Sequence, residues 1–170
     1  MSESVVENDK VFVSLGSNLS EPERQVKQAL HELAALPRTK LLGHSSLYQS
    51  EPLDHADQPA YINAVAHLST SFSPDRLLDH LQDIENRAGR VRTAQRWSSR
   101  TLDIDILLFG DKVIDTERLT IPHYDMHRRE FVLYPLFEIA SDLQLPAGGL
   151  LKDLLLSCPK NQLKRLEDVV

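Results

Sequence analysis

The sequence is short of several features that mark whole classes of protein. It holds one cysteine, Cys158, so no internal disulfide can form, which suits a reducing cytosol. No run of apolar residues exceeds four, far below the roughly 20 that a membrane-crossing helix needs. Residues 1–9 are acidic and polar and lack the basic start and apolar stretch of a signal peptide. They are expected to be a disordered segment of a cytoplasmic protein. Basic charge is also scarce: 19 Lys and Arg against 25 Asp and Glu leave a net charge of -6. That balance speaks against a nucleic-acid binder, but not against a small anionic ligand, which feels local charge. Two phosphate-binding signatures are missing. No G-x-x-x-x-G-K-[ST] occurs, which excludes a P-loop enzyme, and no G-x-G-x-x-G occurs, which excludes the dinucleotide fingerprint and the protein-kinase loop.

What remains is an ordinary globular composition, 41% hydrophobic and 26% charged over 170 residues. A chain of this size buries roughly two-thirds of its unfolded surface and can build a core without staples. A single domain over residues 10–170 is expected. Val11, Val13 and Leu15 alternate as a strand that ends at Gly16, with Gly16-Ser17-Asn18 read as a strand-to-helix turn. Ser20 and Glu23 fit a capping box for a helix carrying Val26, Ala29, Leu30, Leu33 and Leu36, which stops at Pro37. Strands follow at 41–49 and 61–70. Ser73-Pro74 then opens a helix striped by Leu77, Leu78, Leu81 and Ile84. Residues 87–100 read as a long loop, 101–109 as a strand, and Gly110-Asp111 as a tight turn. Helices are expected near 131–140, with Pro135 near the first turn, and near 150–157. The order β-α-β-β-α-β is the split βαβ, ferredoxin-like α+β arrangement, an antiparallel sheet with two helices on one face. A C-terminal hairpin and helical extension complete it.

The sharpest chemical feature is Thr101-Leu102-Asp103-Ile104-Asp105-Ile106-Leu107-Leu108. In a strand Asp103 and Asp105 face one side, about 6–7 Å apart, while Leu102, Ile104, Ile106 and Leu108 face the core. Neighbouring carboxylates repel, and a pair of divalent cations with a preference for hard oxygen ligands relieves that conflict. By itself the pattern also fits an exposed face with two solvated aspartates. Five arginines, Arg87, Arg90, Arg92, Arg96 and Arg100, precede it within fourteen residues that contain no lysine. Guanidinium groups bind phosphate oxygens bidentately, so the combination favours a polyphosphate held between metal and arginine over a solvated loop. Trp97, the only tryptophan, lies in the same loop as a lid anchor or stacking surface. Tyr61 and Asn63 share a strand face and fit either a flat heterocycle or ordinary sheet packing. His123-Tyr124, near Arg128 and Arg129, fits either a phosphate contact or a structural role.

These residues sit in motifs that together resemble the 6-hydroxymethyl-7,8-dihydropterin pyrophosphokinase family. The motifs are Leu15-Gly16-Ser17-Asn18-Leu19, Ser46-Leu47-Tyr48-Gln49-Ser50-Glu51-Pro52, Gln58-Pro59-Ala60-Tyr61-Ile62-Asn63-Ala64, Gly89-Arg90-Val91-Arg92, Arg96-Trp97, Arg100-Thr101-Leu102-Asp103-Ile104-Asp105-Ile106 and Ile121-Pro122-His123-Tyr124-Asp125-Met126. The resemblance implies a ferredoxin-like fold and transfer of pyrophosphate from ATP to the pterin hydroxymethyl group, releasing AMP, in folate biosynthesis. It implies that Asp103 and Asp105 bind two Mg²⁺ ions and, with Arg90 and Arg92, form the catalytic set. It places the pterin against Ser50, Leu53, Tyr61, Asn63, Trp97, Arg100 and Phe131. ATP is placed against Gln82, Glu85, Arg92, Ile106, Arg118, Thr120, His123, Tyr124 and Arg129. The chain departs from the family at Ser98-Ser99, where Gly-Pro is usual, and at Asp54, where glycine is frequent.

Two rival readings share the element order. Polymerase palms also set paired aspartates on such a sheet, but they belong to larger proteins with basic tracks. An RNA-binding module needs sheet-face aromatics in an RNP-type motif, which is missing here. A monomer acting on ATP and 6-hydroxymethyl-7,8-dihydropterin, with no nucleic-acid or membrane partner, is expected.

Overall fold

The computed structural model describes residues 9–19, 21–51, 59–89 and 102–166. Leu53, Arg90, Arg92, Trp97 and Arg100, the Ser20 cap and the Asp54 and Ser98-Ser99 departures lie outside the described residues. Strand β1 (Asp9–Ser17) leads to helix α1 (Pro22–Ala34), strands β2 (Thr39–His44), β3 (Tyr48–Ser50) and β4 (Tyr61–Thr70), helix α2 (Pro74–Arg87) and strand β5 (Asp103–Phe109). The pairings are antiparallel in the order β5-β1-β4-β3, with β2 also on β4. This is the ferredoxin-like α+β sheet. Hairpin strands β6 (Ile114–Asp115) and β7 (Thr120–Ile121) follow, then a 3-10 turn at Met126–Arg128 and helices α3 (Glu130–Ile139) and α4 (Leu151–Leu156). Strand β8 (Lys164–Arg165) returns to extend the sheet beyond β3.

Several boundaries differ from expectation for identifiable reasons. β1 begins at Asp9, paired with Thr70, inside the segment expected to be disordered. It also runs on through Gly16 and Ser17, which were read as a turn. Glu21, just before α1, adopts left-handed backbone (φ 61°), and no side-chain cap supports it. Asn18 is buried, and its amide donates to the Pro59 carbonyl at 3.3 Å, which fixes the entry to β4. The single strand expected at 41–49 is broken at Ser45. The Ser45 hydroxyl takes the Val65 N–H (2.9 Å) while its own N–H bonds the Val65 carbonyl (2.8 Å), so the ladder stays satisfied across the break. Pro135 stands inside α3, beyond its first turn. α2 opens as expected, with Ser73 Oγ accepting from Arg76 N at 3.3 Å.

The sheet has two covered faces rather than one. Val11, Val13 and Leu15 of β1, Ile62, Ala64, Ala66 and Leu68 of β4, and Ile104, Ile106 and Phe109 of β5 form one core with Val26, Ala29, Leu30 and Leu33 of α1 and Leu77, Leu81 and Ile84 of α2. The opposite face holds Phe12, Val65, Leu107 and Leu108 beneath Val132, Leu133 and Leu136 of α3, with Leu151 of α4. Leu108 was expected on the side of Ile104 and Ile106. A bulge reverses it: Val13 pairs Ile106 and Phe12 pairs Leu108, which leaves Leu107 as the extra residue and turns Leu107 and Leu108 to the same side.

Candidate active site

Alternation along four strands assembles the site. Residues opposite one another in an antiparallel ladder share a face, and Gly16 pairs both Asp103 and Asn63. Asn63 in turn pairs Tyr48, and Tyr61 pairs Ser50. Asp103, Gly16, Asn63 and Tyr48 therefore form one row across β5, β1, β4 and β3. Asp105 and Ser14, paired with each other, lie in the next row. All face away from α1 and α2, toward the α3 side. The glycine leaves the centre of the row bare: a Cβ there would stand 3.4 Å from Asn63 Oδ1. Sequence reasoning missed Gly16 and Ser14, because their importance comes from strand register rather than from chemistry of their own.

The carboxylate end is closed by the segment after β7. His123 N–H donates to the carbonyl of the bulge residue Leu107 at 3.0 Å, which seats the imidazole beside β5 with Nε2 4.0 Å from Asp105 Oδ2. Asp125 N–H donates to His123 Nδ1 (3.2 Å), so a neutral ring carries its proton on Nε2, toward Asp105. The Asp105 contact by itself would favour the charged ring. Burial and then Arg129 nonetheless push the His123 pKa down, against Asp125 and Asp103. His123 also stacks on the exposed Tyr124 ring at 4.8 Å. Arg129 reaches Asp125 Oδ2 (3.4 Å) and lies 5.7 Å over the Phe131 ring, and its Nε is buried without an acceptor among the described residues. A buried guanidinium donor of this kind calls for an anionic acceptor.

The aromatic end is built by β3, β4 and α3. Asn63 Nδ2 donates to Ser50 Oγ at 2.8 Å and to the Tyr48 carbonyl at 3.4 Å. α3 packs on β4 and β3, and Phe131 of its first turn packs against the apolar cluster on that same face of the sheet.

The other expected contacts lie along β5, the outer strand of the ladder. Ile106 points its side chain into the core under α1 and α2, so only its main chain is available to a ligand. Glu85, buried on α2, accepts the Ile104 N–H at 2.8 Å, and Gln82 lies half-buried one turn earlier. Arg118 ion-pairs with Asp75 (3.5 Å) and Asp79 of α2, and Thr120 pairs Asp115 in the hairpin. The residues placed along β5 thus span both faces of the sheet, whereas Ser50, Tyr61, Asn63, Asp103, Asp105, His123, Arg129 and Phe131 gather on one.

Among the described residues no three His, Cys, Asp or Glu side chains group as metal ligands. Two carboxylates in one strand nevertheless suit a hard cation that takes its other ligands from phosphate and water. No helix among the described residues is long and apolar enough to cross a membrane.

Comparisons with known proteins bear on the family and the fold. Residues 12–141 match the family described as 7,8-dihydro-6-hydroxymethylpterin-pyrophosphokinase (HPPK). A 2-amino-4-hydroxy-6-hydroxymethyldihydropteridine pyrophosphokinase of Haemophilus influenzae is 56% identical over 85% of this chain and 89% of its own length. One of Pseudomonas aeruginosa is 52% identical over 92% of this chain and 96% of its own. Wild-type Plasmodium falciparum HPPK-DHPS shares the fold at a TM-score of 0.67 and 14% identity, over 89% of this chain and 45% of that longer one.

Proposed function

The chain belongs to the 7,8-dihydro-6-hydroxymethylpterin-pyrophosphokinase family, and on that premise we propose how its residues divide the work of the reaction. The enzyme transfers pyrophosphate from ATP to the hydroxymethyl group of 6-hydroxymethyl-7,8-dihydropterin, giving the pterin diphosphate and AMP, a step of folate biosynthesis.

The observation that carries the assignment is the row Asp103–Gly16–Asn63. It joins a carboxylate pair to a ring-binding amide across one bare glycine, so two ligands on the floor meet over Gly16. Tyr61 and Phe131 stack the pterin while Ser50 and Asn63 meet its edge. Asp103 and Asp105 hold two Mg²⁺ ions, which supply charge neutralisation to the polyphosphate when bound. His123 offers Nε2–H, and Arg129 its buried Nε–H, to phosphate oxygens. The outer edge of β5 gives the main chain of Ile106 to the nucleotide, with Gln82 and Glu85 on α2 and Arg118, Thr120 and Tyr124 flanking it. Arg118 exchanges its aspartate partners for the nucleotide as it binds. Arg90, Arg92, Trp97, Arg100 and Leu53 complete the reading as arginine-rich closure and pterin contacts. The pterin oxygen then attacks the β-phosphorus, its bond to that atom forms as the bond to the AMP oxygen breaks, and the hydroxyl proton leaves to solvent or a nearby base. The protein acts as a cytoplasmic monomer.

The test is conversion of ATP to AMP with and without 6-hydroxymethyl-7,8-dihydropterin, at graded Mg²⁺ and across size-exclusion fractions. AMP formation that needs both the pterin and Mg²⁺, and runs with the monomer fraction, supports the reading. Turnover unaffected by chelation removes the metal roles of Asp103 and Asp105.

A further inference from the structure

Glu138, in the last turn of α3, has no role in the reading above. Its carboxylate nevertheless gathers partners from three separate segments. Ser46 N–H donates to it (3.0 and 3.2 Å to the two oxygens), as do Ser46 Oγ (3.0 Å) and the Tyr48 hydroxyl (2.6 Å). Arg165 of β8 stands 3.8 Å away and also donates to Ser46 Oγ (3.0 Å). Next to it, Leu166 N–H bonds the Leu47 carbonyl at 2.8 Å. One carboxylate thus ties α3, the approach to β3, and β8 together. Burial alone would raise the Glu138 pKa, but the Tyr48 and Ser46 hydrogen bonds and Arg165 outweigh it and hold the group ionised.

What this clamp holds still is β3, and β3 sets the orientation of Asn63. The Tyr48 carbonyl can only accept, and with Ser50 Oγ it turns the Asn63 amide nitrogen toward β3, a direction that the Tyr61 carbonyl of β4 itself (3.5 Å) also accepts. The Asn63 carbonyl oxygen is left facing Gly16 and the open floor.

We propose that Glu138 is a positioning residue for the ring-binding end of the site. By fixing β3 against α3 and β8, it presents Asn63 as an acceptor and so selects a ring edge that carries N–H donors. The inference rests on the reading that the pterin lies against Tyr61, Asn63 and Phe131.

The test compares Glu138→Ala, Glu138→Gln and Tyr48→Phe with Asn63→Ala and with Leu154→Ala, a packing change on α4. Each variant is titrated with 6-hydroxymethyl-7,8-dihydropterin, with its analogue lacking the 2-amino group, and with a non-hydrolysable ATP analogue. Glu138→Ala is expected to weaken the pterin about tenfold and to shrink the preference over the desamino analogue, with the ATP analogue unchanged within about twofold. Glu138→Gln, which keeps one acceptor, and Tyr48→Phe should each cost about threefold. If Leu154→Ala, at an equal fall in Tm, weakens the pterin as much, Glu138 is merely structural and the proposal is overturned. Unchanged pterin affinity in Glu138→Ala with a loss in Asn63→Ala overturns the proposal and leaves the site reading standing. Unchanged affinity in Asn63→Ala overturns both. Where Glu138→Ala does not fold, Glu138→Gln and Tyr48→Phe decide by the same criteria.

Discussion

The two faces of the sheet come from the same strands, yet they answer to different demands. On the side of α1 and α2, the residues that β1, β4 and β5 turn to the helices (Val11, Val13 and Leu15; Ile62, Ala64, Ala66 and Leu68; Ile104, Ile106 and Phe109) are apolar and almost fully buried. On the other side the strands are divided along their length. Phe12, Val65, Leu107 and Leu108 are packed beneath α3 and α4, while Ser14, Gly16, Tyr61, Asn63, Asp103 and Asp105 make the floor of the proposed site. Because side chains alternate, the floor can be polar, charged or bare without removing a single contact from the first core. Substitutions on the two faces should therefore separate activity from stability.

The largest expected effect is on the floor. Asp103→Asn and Asp105→Asn should each lower kcat by about two orders of magnitude or more, from loss of a charged metal ligand. Thermal unfolding should show an equal or higher Tm, since the neighbouring charge is relieved. Gly16→Val comes next. A β-branched side chain is at home in a strand but would fill the bare centre of the row, so kcat/KM should fall by about tenfold or more at nearly constant Tm. If Gly16→Val retains full activity, the substrates do not meet over Gly16.

On the opposite face Leu33→Ala should do the converse. It should destabilise by about 2–5 kcal/mol in denaturant unfolding, with kcat per folded molecule unchanged. Glu85→Gln tests a place where the faces are joined. Glu85 is buried under the helical side but takes the N–H of Ile104, the residue between the two aspartates. Both stability, by about 1–3 kcal/mol, and activity should fall together.

The smallest effect concerns pH. Glu138 faces Tyr48 of β3, Ser46 on the approach to it and Arg165 of β8, and its folded pKa is lowered from 4.5. A lowered carboxyl pKa contributes stability that is fully present above the unfolded value and is lost as pH falls through the folded one. The Tm difference between the wild type and Glu138→Gln should hold steady near neutral pH and begin to close below about 4.5. A difference that widens in acid would mean the carboxylate is not held ionised.

Periodicity made most of the fold legible. The alternation in 61–70 and the stripes of the first two helices agree with β4, α1 and α2 because each is a local pattern repeated over two or more turns or pleats. The failures came where a tertiary bond replaced a local one. Ser45 breaks a continuous strand by borrowing both backbone groups of Val65. Leu107 enters as a bulge that no spacing announces. Of the proposed site, the part legible in the sequence is the chemistry concentrated in residue type: two aspartates in an apolar strand, and a tyrosine and asparagine on one face. Gly16, Ser14 and Glu138 carry no such mark. A glycine is a floor only when its ladder partners are known, and a glutamate is a clamp only when three distant segments converge on it.

The sequence by itself determined the element order, the core stripes, the carboxylate pair and the family, because these depend on neighbours within a few residues and on motif identity. Tertiary structure alone decided that Asp103 and Asn63 share one row across Gly16, that His123 is seated by Leu107 beside Asp105, and that α3 covers the second face. Those relations are set by strand register and long-range hydrogen bonds, whose partners lie from 13 residues apart, as in Asn63 and Ser50, to 119 apart, as in Arg165 and Ser46. No local pattern encodes them, because the free energy that selects them is gained only once the sheet has closed.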